Sequence, residues 1–206
     1  MIHAMINVII FILSIPGFVA FLNSPFEAFV SDDRKDMLFS STSKWPLTLT
    51  VWLHFYHILG KFKLSDEDWF HHLIFISTLA LPGMIYDWGC FSNYFAVFVC
   101  GLPGAVDYFL LSMQKMGYLH SWNQKRISAN LNVWMRLPGV IFGIGIGYLL
   151  FQKNMYSVPS WALTLQLVLM PLNAVYYCKQ SVINYVLHTV KIYIPDNRTW
   201  KELKNL

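Results

Sequence analysis

Six stretches of the chain are apolar for long enough to form helices of membrane-spanning type: residues 2–22, 45–62, 67–87, 92–113, 131–151 and 161–190. A helix that crosses the hydrocarbon core needs about 20 mostly apolar residues. The 45–62 stretch is short and carries histidines, whereas 161–190 is long enough to tilt or to project past a bilayer. The connections are polar and brief. Ser24-Pro25-Phe26-Glu27 has the form of a capping box with proline at the first helical position, which predicts a short helix over 25–30. Asp32-Asp33-Arg34-Lys35-Asp36 reads as a solvated loop. Ser65-Asp66-Glu67-Asp68 reads as the N-cap and acidic first turn of the third helix, and Ser157-Val158-Pro159-Ser160 as the start of the sixth. Pro-Gly pairs at 16–17, 82–83, 103–104 and 138–139 fall inside apolar runs. Proline there removes a backbone hydrogen bond and kinks the helix, which membranes tolerate where neighbours satisfy the freed carbonyl.

The pattern predicts an all-α integral membrane protein: one domain over 1–206, a bundle of about six kinked transmembrane helices. Composition agrees. Charged residues make up 13% of the chain, about half the usual 25% of a soluble domain, whose surface must face water. Aromatic residues make up 17%, with 8 Trp, which suits interfacial rings. The segment 1–23 lacks a positive n-region and is too long for a signal peptide, so it reads as a retained spanning helix. The net charge of +4 has no basic stripe interleaved with aromatics, so nucleic acid is not an expected partner. Cys90, Cys100 and Cys178 lie in apolar runs without CxxC spacing and read as buried small hydrophobes.

Lys and Arg favour cytoplasmic loops. One side of the expected bundle carries Lys61, Lys63, Lys115, Lys125, Arg126, Lys191, Arg198, Lys201 and Lys204; the other carries Arg34, Lys35, Lys44 and Lys153. This asymmetry places both termini, the 61–66 loop and the 114–130 loop in the cytosol or its organellar equivalent. The sequon Asn197-Arg198-Thr199 then never meets the lumen.

Ionisable residues inside spanning helices are costly, and each is a functional candidate. They are His54, His57, His71, His72, Asp107, Arg136 and Lys179. At the helical rise, Asp107 lies roughly 10 Å from the helix end at Gln114, and Arg136 roughly 9 Å in from Asn130. The four histidines lie roughly 5–9 Å from theirs. All occupy the cytosolic half, whereas the outer half has only Asp87 near a helix end. Lateral convergence would make them one cavity open to the cytosol. Cys100, Pro103, Gly104, Asp107 and Leu111 share a face whose small residues let another helix approach, so Asp107 faces the bundle. There it is either positioned for chemistry or paired structurally with Arg136. His54 and His57 share a face, while His71 and His72 diverge by about 100°. The histidines do not complete the HxxxH and HxxHH boxes of membrane desaturases, because His3, His120 and His188 lie far off in sequence; no metal centre is expected. Broken helices and buried charges also occur in transporters, but no inverted repeat is visible.

His71-His72-Leu73, Val106-Asp107-Tyr108-Phe109-Leu110-Leu111-Ser112 with Lys115 and Tyr118, Trp134-Met135-Arg136-Leu137-Pro138, and Leu172-Asn173-Ala174-Val175-Tyr176-Tyr177 occur in this order. Together they resemble the TLC-domain family, which includes the ceramide synthases, over roughly residues 54–180. His3-Ala4 is a weaker match near the first helix. The resemblance implies a lipid cavity and, in an enzyme, acyl transfer from a coenzyme A thioester, with acyl-CoA as co-substrate and no bound cofactor. It implies His71 or His72 as base or acyl carrier and Asp107 as their support. His54, His57, Arg136, Asn173 and Lys179 would contact lipid. It further implies an endoplasmic-reticulum-like membrane, with an organellar inner membrane as the alternative. The chain departs from the family at Pro103-Gly104, where acyltransferases have His-Asp, and at Ser112, where they have Glu. His57 stands where many members have Asp. The loss of carboxylates leaves a second expectation open: a non-catalytic subunit of a larger membrane complex, its partners membrane proteins as well as lipids.

Overall fold

The computed structural model describes residues 1–30, 33–60 and 66–193, with the side chains of 66–68, 71 and 193 outside that description. The described chain is all-helical. We number its rods α1 (Ile2–Asn23), α2 (Trp45–Leu59), α3 (66–85), α4 (Gly89–Lys115), α5 (Ser121–Gln152) and α6 (Ser160–Tyr193). Among the described residues, α1, α4, α5 and α6 are long and apolar enough to cross a membrane, and α3 carries a shorter apolar run, His72–Ile85. Each of the six apolar stretches is therefore mostly helical over its described residues, while spanning length belongs to four of the rods.

Two expected boundaries move. The segment 114–130 is not a loop: the turn is confined to 116–120, and Ser121–Leu131 is helical and runs straight into the apolar part of α5. Its start is capped by His120, whose Nδ1 accepts from the Trp122 amide at 3.2 Å. At the other end of the molecule Pro25–Glu27 forms a short 3-10 turn, but Ser24 makes no side-chain capping bond, so the expected capping box is not formed. The Ser65 cap and the sequon lie outside the described residues.

α1 packs on α2 and α4, α4 on α5, α5 on α6, α6 on α3, and α3 on α2, which closes a ring of six rods. The outward faces are apolar. Ile9, Ile12 and Val19 on α1, Ile141 and Leu149 on α5, and Leu172 and Val186 on α6 are all exposed. Exposed apolar surface on this scale marks contact with lipid or another protein. The solid part of the interior is an aromatic block of Phe21, Phe29, Trp88, Phe91, Tyr94 and Phe95. It is tightened by a glycine row on α5, where Gly139, Gly143 and Gly147 lie against Phe98, Tyr94 and Phe91 of α4. Spacing by four keeps the glycines on one face, so two helix backbones approach closely. Tyr94 donates its hydroxyl to the Gly139 carbonyl at 2.7 Å across the same seam.

α3, α4 and α5 each contain one π-helical turn, Ile76–Ala80, Val97–Gly101 and Asn132–Arg136. Each is followed at once by Leu-Pro-Gly. The leucine amide bonds five residues back, Leu81 to Ile76, Leu102 to Val97 and Leu137 to Asn132. Proline lacks an N–H and its ring crowds the carbonyl four residues before it. Widening the preceding turn is one way a helix accommodates that conflict. The glycine after each proline is a contact point: Gly83 meets Leu47, Gly104 meets Asn7, Gly139 meets Phe98, and Gly17 in α1 meets Asn93.

One end of the ring is closed. The Phe91 amide donates to the Ala28 carbonyl, Ser157 Oγ to the carbonyls of Phe29 and Asp87, and Lys35 Nζ to Asp87 Oδ2 at 3.2 Å. Three connecting segments are thereby tied together. At the opposite end the Met1 ammonium donates to Ser112 Oγ at 3.1 Å, so the start of α1 lies beside the end of α4.

Candidate functional site: a histidine-lined cavity

The ring encloses a cavity of about 690 Å³, within the roughly 300–1,000 Å³ range of sites for small organic ligands. All six rods line it. From the closed end come Gly83, Trp88 and Phe91, followed by Leu79, Ala80 and Phe95, all apolar. From the opposite end, where α1 begins and α4 ends, come His3, His54, His57, His72, Asp107, Tyr108 and Lys115, with Arg136, Asn173 and Tyr177 further along. The cavity is therefore mostly apolar toward the closed end, where Ser92 and Gln166 are the polar exceptions, and more polar toward the opposite end. Ser92 and Asp107, both on α4 and both lining it, are about 22 Å apart at the helical rise.

The histidines form one cluster. Ring centroids are 5.1 Å apart for His54–His72, 5.3 Å for His57–His72 and 4.7 Å for His3–His57. His3 also stacks on Tyr108 at 3.4 Å. His72 is buried and bridges the two histidines of α2. His54 Nδ1 lies 2.8 Å from the Thr50 carbonyl. A carbonyl only accepts, so Nδ1 carries the proton and the neutral ring presents the Nε2 lone pair as a base. Among the described residues no group of three or more His, Cys, Asp or Glu is arranged to hold a metal ion.

Asp107 and Arg136 both line the cavity but do not form the ion pair considered for them. Gln124 Nε2 donates to Asp107 Oδ1 at 3.0 Å, from the part of α5 expected to be a loop. Arg136 Nη1 donates to Asn132 Oδ1 at 2.8 Å, one helical turn back within the π-turn. Asn132 in turn donates to the Ser128 carbonyl and to Ser181 Oγ on α6. The π-turn thus presents an arginine held in place by its own helix. Gln166 on α6 plays the matching part at α3, donating to the Leu79 carbonyl of the π-turn there at 3.2 Å.

Of the residues singled out in the sequence, His54, His57, His72, Asp107, Arg136 and Asn173 line the cavity. The His71 side chain lies outside the described residues. Lys179 is exposed on α6 and does not line the cavity. His3, Tyr108, Lys115 and Tyr177, quoted above within the resemblance but not as site residues, line it too, as does Asn7, which the sequence reading did not mention. For His3 the available signal was a polar residue in an otherwise apolar helix. A second, polar pocket of about 310 Å³ between α4, α5 and α6 shares Asp107, Tyr108 and Tyr177 with the large one, so these three form a common wall.

The described residues form an all-helical ring around a cavity, and four of its rods are long and apolar enough to cross a membrane. Comparison with known protein families, with curated proteins and with solved structures finds no match.

Proposed function

We propose that the chain is a six-span membrane protein, TLC-like in organisation, that binds and processes a lipid in the cavity of the helix ring. One observation carries this reading: the cavity lining is histidine-rich toward one end and mostly apolar toward the end where the connecting segments are tied together, which matches an amphiphile with one head and one chain. In its catalytic form the reaction is N-acyl transfer from an acyl-CoA thioester to a long-chain amine. A histidine of the cluster, His72 foremost, takes the amine proton as nitrogen attacks the thioester carbonyl. Arg136 is placed to stabilise the oxyanion before the thiolate leaves. The excess of Lys and Arg on the side holding both termini supports a cytosolic mouth, and the resemblance supports an endoplasmic-reticulum-like membrane.

The test is expression in lipid-supplemented membranes, with lipid profiles compared between wild type, His71→Ala and His72→Ala. A lipid species that rises with wild type and is lost in the His72 variant is the expected result. Profiles identical in all three would remove the catalytic reading.

A second reading, a non-catalytic subunit with a lapsed site, draws on a specific contact. Asp107 is engaged by Gln124 rather than by a histidine, and Pro103-Gly104 replace the His-Asp of the family's acyltransferases. Co-elution with a large complex in mild detergent, without a bound acyl species, favours it.

A further inference from the structure

The side chains lining the cavity carry an unbalanced charge. Arg136 and Lys115 face one carboxylate, Asp107, before any of the four histidines takes a proton. Asp107 is engaged by Gln124 and makes no ion pair with Arg136. The Arg136 guanidinium is anchored through Nη1 on Asn132, while its Nε is buried with no hydrogen-bond partner among the described residues. A buried donor without an acceptor is costly, and the one carboxylate in the lining, Asp107, acts on Arg136 without touching it. The arginine sits where the lining changes character, with the histidines toward the mouth and Leu79, Phe95 and Trp88 toward the floor. Guanidinium is the side chain best matched to the planar or tetrahedral oxygens of carboxylate and phosphate.

We infer that the cavity's ligand is an amphiphile with an anionic head group, a carboxylate or a phosphate, seated on Arg136 with its chain laid toward the apolar floor. This rests on the lipid-cavity reading above and narrows it. A permanently cationic head would meet like charge at Arg136, and a neutral head would offer the guanidinium no charged acceptor beyond the non-contacting Asp107. The acyl-transfer version is compatible only if the amine loses its proton at the histidines before it approaches Arg136.

The experiment uses the full chain in neutral-detergent micelles and four probes with one common tail: oleate, oleyl phosphate, oleyl alcohol and oleylamine. Affinities are measured by equilibrium dialysis of radiolabelled ligand. Oleate and oleyl phosphate are expected to bind at least about tenfold more tightly than oleyl alcohol, the scale of one charge-assisted hydrogen-bonded contact. Arg136→Gln erases that preference by weakening oleate and oleyl phosphate binding, and Arg136→Lys restores part of it. Inorganic phosphate at millimolar concentration does not displace oleate; full displacement would mean that a free anion is the ligand and would overturn the amphiphile. Equal binding of oleate and oleyl alcohol by wild type, or an undiminished preference in Arg136→Gln, sinks the anionic head group while leaving the lipid cavity standing. Failure of all four probes to bind sinks both. If Arg136→Gln does not fold, the wild-type head-group order and the lysine variant decide the matter.

Discussion

Gly143 is a position where a single methyl group carries a clear cost. An ideal Cβ there would lie 2.5 Å from a Tyr94 ring carbon and 2.8 Å from Phe95. Gly143→Val should destabilise the bundle by about 1–3 kcal/mol through overpacking, read as a lowered unfolding midpoint in detergent. Asn132 offers a different test, because it holds Arg136, Ser128 and Ser181 at once. Asn132→Ala should cost about 1–3 kcal/mol, since it strands buried partners. It should also loosen the arginine, so that head-group discrimination falls along with stability. At this scale the sequence was informative where a polar residue interrupts an apolar run, as with His54, His72, Asp107 and Arg136. It was less so for His3 and Lys115, which lie at helix ends where a polar residue looks like a surface residue. Lys179 shows the converse: a lysine inside an apolar run that the fold turns outward.

The π-turns belong to the scale of the helix. They widen α3, α4 and α5 at the level of the cavity, where Ile76, Leu79, Cys100 and Arg136 line it. Pro138 is exposed, so removing its ring leaves no hole. Pro138→Ala should therefore stabilise α5, by up to about 3 kcal/mol, the usual penalty of an interior proline. If the wide turn exists to present Arg136, ligand affinity should fall as the unfolding temperature rises. A parallel rise in both would show that the turn only accommodates the proline. Helix spans were readable because hydropathy reports them directly. The π-turns were not, because one extra residue in a turn leaves no mark on an apolar run. The Pro-Gly pairs pointed to the right places but only to kinks. The first part of α5 was misread because Ser121–Leu131 is polar on most faces and starts from a histidine cap, which lies outside the usual Ser, Thr, Asp and Asn signals.

For the molecule as a whole, the apolar exterior predicts that the protein stays with membranes through alkaline carbonate extraction; release into the supernatant would contradict the spanning reading. The closed end carries a pH signature of its own. Lys35 is held above its ordinary value of 10.5, first by its hydrogen bond to Asp87 and then by that carboxylate's charge. A raised lysine value means that the pair stabilises the folded state below the unfolded value and loses that effect as pH climbs past the folded one. The stability gap between wild type and Lys35→Met should thus be constant near neutrality and close above about pH 10.5, as followed by unfolding at stepped pH. The arrangement of the ring was beyond the sequence, because α2 and α3 are too short to announce their neighbours.

The tied segments beside Trp88 and Phe91 bound one end of the cavity, and under the proposed lipid reading they would measure whatever chain is pushed toward them. Under that reading a chain that reaches the indole would go no further, and the distance from Arg136 to Trp88 would gauge its carbon number. Trp88→Ala would lower the stop, and the acyl species recovered from the purified protein should then shift toward greater length. An unchanged length distribution would show that the gauge is set elsewhere.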